Sequence, residues 1–233
     1  PVTLSRLPSL SGEFVFLSQS HDVSFAAEAC IEVLRAVRRL TGDDRYRWSH
    51  HIVDDLSNLR EICTTSQTLV LIGGLEHPWL PSKALASEFR ALLRKTSRVC
   101  VVGSAVFVPI TLGLSRNERF SVHPNFHPAV QETNPMLQIT NTTIHHDTSF
   151  SSAISSTGAV NMMVELIGAR DGEFTRANLT KYLGLCDPDE ESGAIDLLRY
   201  QRRAEGNPIA SRALRTMQDH LEDTLSIRQI AVA

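Results

Sequence analysis

Apolar residues in this chain come in short unbroken runs, separated by longer stretches in which they recur every three or four positions. Glu13-Phe14-Val15-Phe16-Leu17, Thr68 to Gly74 and Arg98 to Val102 are such runs, each about the length of a strand. Between them Ala26, Ala29, Cys30, Val33, Leu34, Val37 and Leu40 recur at helix spacing; Asp22 can cap that helix and Gly42 can end it. Ala84, Leu85, Phe89, Leu92 and Leu93 mark a second helix within Ser82 to Lys95, and Tyr46 to Val53 reads as another strand. Strands that are apolar on both faces and alternate with amphipathic helices predict a doubly wound α/β fold, with a mainly parallel sheet and helices on both faces.

Past this first half the pattern predicts shorter strands at Arg119 to His123, Leu137 to Thr140 and Thr143 to His146, then helices at Ser156 to Arg170 and Thr175 to Leu185. From Cys186 onward the chain turns acidic and turn-rich, then basic at Tyr200-Gln201-Arg202-Arg203. The expected division is an α/β domain over 1–190, a linker over 191–207 and a short helical segment over 208–233. In that last segment Asn207-Pro208 starts a helix with Ala210, Ala213, Leu214, Met217 and Leu221 along one stripe. Ser226 and Gln229 then make a capping box for a second helix.

With 233 residues and 42% hydrophobic content, the chain can bury one substantial core with a small appendage. A formal charge of -3 provides no basic footprint for nucleic acid, so DNA contacts must be local or lie beyond this segment. The four cysteines, Cys30, Cys63, Cys100 and Cys186, form no C-x-x-C pair and read as reduced cysteines. The first twelve residues lack the features of a signal peptide and no apolar run approaches a membrane span. A cytoplasmic protein without membrane attachment is expected, trimmed ahead of Pro1.

The run from Arg98 to Phe107 leaves a buried strand through Gly103 and enters a helix that should end near Gly113. Such an elbow fans backbone N–H groups toward the carboxyl ends of the strands, where open α/β sheets bind ligands. Those ends bring together Ser18, Gln19, Gly74, Leu75 and Gly103, with Ser104 and Ala105 offering N–H groups to an anion such as a carboxylate. The plainer reading is a tight turn that needs glycine for its backbone alone. Pro109 falls in the second turn of the elbow helix, where a helix interior loses about 3 kcal/mol, so that helix should start late or bend.

Three stretches together resemble one family. They are Ala26 to Ala36 with Tyr46-Arg47-Trp48, the elbow with Gly113-Leu114 and Ser121-Val122-His123, and the tail Ala213 to Glu222. They are similar to the GlxA-type AraC-family transcriptional regulators, in which a PfpI-like (class I glutamine amidotransferase-like, flavodoxin-like) domain precedes a DNA-binding domain with two helix-turn-helix motifs. The resemblance implies a ligand-responsive regulator acting on promoter DNA as a homodimer. It also implies an effector of amino-acid or quaternary-amine type, such as a betaine, and makes 208–233 the start of the helix-turn-helix domain, with both recognition helices downstream. Enzymes of the wider superfamily carry cysteine at the elbow, whereas here Gly103 aligns there, which implies no catalytic residue and no cofactor.

Other residues have competing readings. Trp79 can wall a pocket and face a cation, or simply pack a loop. Glu28 or Glu32 can meet a cationic nitrogen, or stand solvated in ion pairs. His123, carried over from the resemblance, is a candidate pocket residue or an ordinary packing one. His145-His146-Asp147 and His50-His51 look like metal ligands, but neighbours on a strand point to opposite faces, so no metal site is expected. The enzymatic alternative is a PfpI-like hydrolase or glyoxalase-type activity using Cys100 or Ser104, the latter with His123 and Asp147 as a triad.

Overall fold

The computed structural model describes residues 12–42, 44–53, 62, 67–115, 118–185 and 207–219. The chain divides into two compact units, Pro1–Leu183 and Gly184–Ala233. In the first, β1 (Glu13–Ser18), β2 (Arg47–Ile52), β3 (Thr68–Ile72), β4 (Arg98–Val102), β7 (Ile144–His146) and β8 (Phe150–Ala153) form one sheet in the order β2-β1-β3-β4-β8-β7. All pairings are parallel except β7 with β8. A separate parallel pair joins β5 (Arg119–Ser121) to β6 (Gln138–Thr140).

The unbroken apolar runs are explained by burial on two faces. Val15, Leu17, Leu69, Leu71, Val99 and Val101 join one core cluster with Phe89, Leu92 and Leu93 of α2 (Lys83–Lys95) and with α3 (Phe107–Thr111). The intervening Phe14, Phe16, Val70, Ile72, Cys100 and Val102 are buried on the opposite face. There α1 (Ser24–Thr41) packs on β1, β2 and β3, and α5 (Ser156–Asp171) on β4, β7 and β8, with α6 (Glu173–Tyr182) against both helices. Among the described residues no helix is long and apolar enough to cross a membrane.

Two elements escaped the sequence pattern. The strand β8 reads Phe-Ser-Ser-Ala, and its serines are buried because each hydroxyl is used. Ser151 Oγ accepts from Arg98 Nη1 at 3.0 Å, and Ser152 Oγ accepts from the Ser121 N–H at 2.8 Å. The short helix α4 (His127–Thr133) follows a 3₁₀ turn and has a single buried residue, Val130, too little for a periodic signal. Asp22 does not cap α1. It sits in a 3₁₀ turn, His21–Val23, and the helix begins after it with no side-chain cap. The helix does end on Gly42, at φ 68°. In the second unit the stripe from Asn207 forms α7 (Pro208–Asp219), where the Asn207 side chain accepts from the N–H groups of Ile209 and Ala210. The expected linker up to residue 206 and the expected start at Ser226 lie outside the described residues.

Candidate functional site

The carboxyl ends of β1, β3 and β4 converge on the elbow. Gly103 stands at φ +58°, a left-handed conformation that glycine adopts without strain. Residues 103 to 106 form a 3₁₀ turn and α3 begins only at Phe107, so the elbow helix starts late. Pro109 thereby falls in the first turn of α3, where its missing N–H deprives the helix of nothing.

The elbow is closed by the segment after β3. The N–H of Ser104 donates to the Gly74 carbonyl at 2.9 Å, and the Gly73 N–H to the Val102 carbonyl at 3.0 Å. The Ser104 N–H is therefore committed, which corrects the expectation of a free donor for an anion there. A side-chain carbon at Gly103 would stand 2.7 Å from the Gly73 carbonyl oxygen and 2.9 Å from that of Gly74. One at Gly73 would strike Ser104 Oγ and the Ala105 nitrogen. Glycine at 73 and 103 thus lets two backbones touch. Gly103, Ser104 and Ala105 are all buried, and Ser104 Oγ donates to Gln19 Oε1 at 3.2 Å. The Gln19 N–H in turn donates to the Ile72 carbonyl at 2.9 Å. Ser18 is fully buried, with Oγ 2.9 Å from His50 Nε2.

Beside this closed elbow lies a cavity of about 200 Å³. Asp22, Val23, Phe25 and Ala26 from the start of α1 form one wall, Gly73, Gly74 and Leu75 another, and Val102 contributes from the end of β4. Ser155 and Ser156 complete it at the start of α5, where Ser155 Oγ caps the helix by accepting from the Gly158 N–H at 3.3 Å. One wall therefore carries a carboxylate and another the positive end of a sixteen-residue helix, with apolar side chains between them. Of the residues expected at the strand ends, Gly74 and Leu75 line this cavity, whereas Ser18, Gln19, Gly103, Ser104 and Ala105 are not in its lining. Asp22, Phe25, Ser155 and Ser156 were missed, since a polar turn and a serine pair carry no distinctive spacing.

Trp79 and His123 lie outside this lining. Trp79 is 5% exposed, edge-on to Phe89 at 5.8 Å within the core. The His123 Nδ1 accepts from the Asn125 N–H at 3.3 Å and caps the turn before α4. Ser104, His123 and Asp147 each have separate partners: Asp147 Oδ2 accepts from the Arg119 N–H and Oδ1 from that of Thr148. Cys100 is fully buried in β4, and burial pushes its thiol up to about 12. Glu28 and Glu32 point outward from α1 into ion pairs with Arg35 at 3.4 and 3.3 Å.

The histidine pair of β7 splits as alternation requires. His146 is held between Ser151 Oγ at 2.9 Å and Glu165 Oε2 at 3.1 Å, while His145 stands 4.0 Å from Asp147. The first is a half-buried Ser-His-Glu chain whose hydroxyl, on a 1% exposed residue, also accepts from Arg98. Arg98, buried in the sheet, further donates to the carbonyls of Asp147, Thr148 and Phe150, fixing the turn between β7 and β8. Among the described residues no group of three or more His, Cys, Asp or Glu is placed to hold a metal ion.

No family model matches the chain, and no curated protein does. Solved structures do. An AraC family transcriptional regulator from Pseudomonas putida superposes with a TM-score of 0.61 at 20% identity, over 76% of this chain and 100% of the other. DJ-1beta of Drosophila melanogaster matches with a TM-score of 0.57 at 15% identity, over 77% and 100%. A ThiJ/PfpI family protein from Pseudomonas syringae matches with 0.57 at 9% identity, over 91% and 93%. At such identities the likeness concerns architecture: this chain has the ThiJ/PfpI (DJ-1-like) fold, a mainly parallel sheet with helices on both sides.

Proposed function

We propose that the first unit is the effector-sensing domain of a cytoplasmic, AraC-type transcriptional regulator, and that it performs no catalysis. The observation that carries this reading is the apex of the elbow. Glycine stands there, its backbone is sealed by Gly73 and Gly74, and a separate cavity opens beside it. A site without an attacking group can hold a ligand and report it. Asp22 on one wall suits a cationic nitrogen, the start of α5 suits a carboxylate, and Phe25 offers an aromatic face to a quaternary ammonium. Amino-acid-like or betaine-like molecules fit that combination.

The effector acts by favouring one arrangement of a homodimer, which sets the spacing of the helix-turn-helix domains on promoter DNA. Its leverage is its difference in affinity for the two arrangements. The helix α7 is the entrance to the DNA-binding domain. Support for a regulator comes from the similarity to the Pseudomonas putida protein, whereas the ThiJ/PfpI likeness equally suits an enzyme. Against the enzyme stand the buried Cys100 thiol and a Ser104 hydroxyl engaged with Gln19 rather than with an imidazole.

Thermal unfolding in the presence of amino acids, glycine betaine and carnitine is the test. An effector at a hundred times its Kd adds about 2.7 kcal/mol of stability, and Asp22→Asn should reduce the shift for cationic members. Flat melting curves for every compound refute the sensor. Rapid labelling of native Cys100 by a thiol reagent at neutral pH would revive the enzyme, because only a thiolate reacts quickly.

A further inference from the structure

The outer face of α2 is cationic, and nothing in the fold neutralises it. Lys83, Ser87, Arg90 and Arg94, all exposed, follow one another at helix spacing. At about 100° per residue they fall within an arc of about 60°, on the side opposite the buried Phe89, Leu92 and Leu93. Lys95 adds a fourth exposed cation at the end of the helix, and the small Ala84 and Ala91 lie beside the row. Glu88, the acidic residue of α2, is half-buried to one side. Exposed arginines elsewhere in this unit are paired: Arg35 with Glu28 and Glu32, Arg38 with Asp44, Arg47 with Glu13 and Arg176 with Glu173. By contrast, Lys83, Arg90, Arg94 and Lys95 make no ion pair with a described residue. Arg90 Nε donates to the Leu112 carbonyl at 3.3 Å, which anchors the guanidinium and leaves its Nη groups uncommitted. Unpaired cations gathered on one helix of a chain whose net charge is -3 make a local site for a polyanion.

Resting on the regulator reading above, we propose that this ridge of α2 contacts the phosphate backbone of promoter DNA, a sequence-independent contact in addition to those of the helix-turn-helix domain. Lys83 and Arg94 stand about 16 Å apart along the helix, a length over which one strand of B-DNA presents about five phosphates. A helix lying along the backbone therefore brings Lys83, Arg90 and Arg94 each to a phosphate of its own. Guanidinium groups meet phosphate oxygens as paired donors, and the Lys83 ammonium acts as a point charge. A folded partner's acidic surface mixes both signs of charge, whereas the ridge is a straight row of one sign, the complement of a nucleic-acid backbone. Contacts of this kind position a protein on the duplex and carry no base preference. They also meet the condition that DNA contacts in so acidic a chain be local.

The test is fluorescence anisotropy of the full chain with two labelled DNA duplexes of unrelated sequence, from about 20 to about 200 mM salt. The wild type should bind both duplexes equally. K83Q/R90Q/R94Q should reduce the slope of log K against log salt by about 2.7, three phosphate contacts at about 0.9 each. K83R/R90K/R94K keeps the charges and should keep the slope. R38Q/R47Q/R176Q removes as much charge from arginines that are already paired, and should leave the slope as it is. Arg94 has no polar partner among the described residues, so R94Q alone reads one contact, a fall of about 0.9, if the triple variant fails to fold. An unchanged slope in K83Q/R90Q/R94Q or R94Q, an equal fall in R38Q/R47Q/R176Q, or no binding of either duplex at the lowest salt overturns the assignment. Binding of polyglutamate without binding of duplex overturns it too, and gives the ridge to an acidic protein. Each of these failures leaves the regulator in place, touching DNA through its helix-turn-helix domain alone. The sensor reading fails separately, on flat melting curves with every effector.

Discussion

Gly103 shows how one missing side chain shapes the site. Its left-handed φ has a counterpart in Gly42 at φ 68°, but nothing lies within 4 Å of where a side-chain carbon at Gly42 would stand, whereas at Gly103 two carbonyl oxygens lie inside 3 Å. The same substitution at the two positions therefore separates backbone strain from crowding. Gly42→Ala is expected to cost about 1 kcal/mol, the strain of a left-handed L-residue. Gly103→Ala should cost about 3 kcal/mol, because the Gly73-Gly74 segment must also move. Urea denaturation of both variants checks this, and equal losses would show that the elbow is not sealed. The need for glycine at the elbow was legible in the sequence. Its cover was not, because the contact joins segments thirty residues apart.

Among elements, β4 and β8 were unequally visible for a physical reason. An apolar run announces a buried strand, but Ser151 and Ser152 are buried by hydrogen bonds whose donors come from β4 and β5. Arg98 opens the apolar β4 run, and although charged it is 1% exposed and donates to four acceptors around the β7–β8 turn. Replacing it by leucine takes away the donor shared by the carbonyls of Asp147, Thr148 and Phe150 and by Ser151 Oγ, and should destabilise the domain by about 3 kcal/mol. Arg98→Lys should rescue little of this, since an ammonium cannot span the acceptors as a planar fork does. Chemical denaturation distinguishes these outcomes, and a stable Arg98→Leu protein would mean that the turn is held by other contacts. The late start of α3, by contrast, was foreseeable from Pro109 alone.

In the molecule as a whole, stability should fall on acidification, because several groups pull the same way. His50, His51 and His145 are held below their ordinary value of 6.5, chiefly by burial. Below about pH 6.5 the unfolded chain therefore takes up protons that the fold refuses, and stability declines until the lowered folded values are passed. Asp147 is also held low: burial alone would raise it, but N–H groups of Arg119 and Thr148 outweigh that, so its contribution is lost below its ordinary 3.8. Midpoints of thermal unfolding should fall between pH 7.5 and 5.5 and fall further near pH 4. His50→Gln should flatten the first step, and a midpoint that rises on acidification would contradict the burial of these rings.

Pattern alone established the alternation of strands and helices, the two-sided burial of the parallel strands, the elbow with its glycine and the stripe of α7, since each is a local consequence of side-chain period and turn chemistry. Folding settled what depends on distant partners: the place of β8 between β4 and β7, the sealing of the Ser104 N–H by Gly74, and a cavity made from the starts of α1 and α5. Spacing along a chain reports which residues can share a face, whereas a cavity is the space that separate faces leave between them.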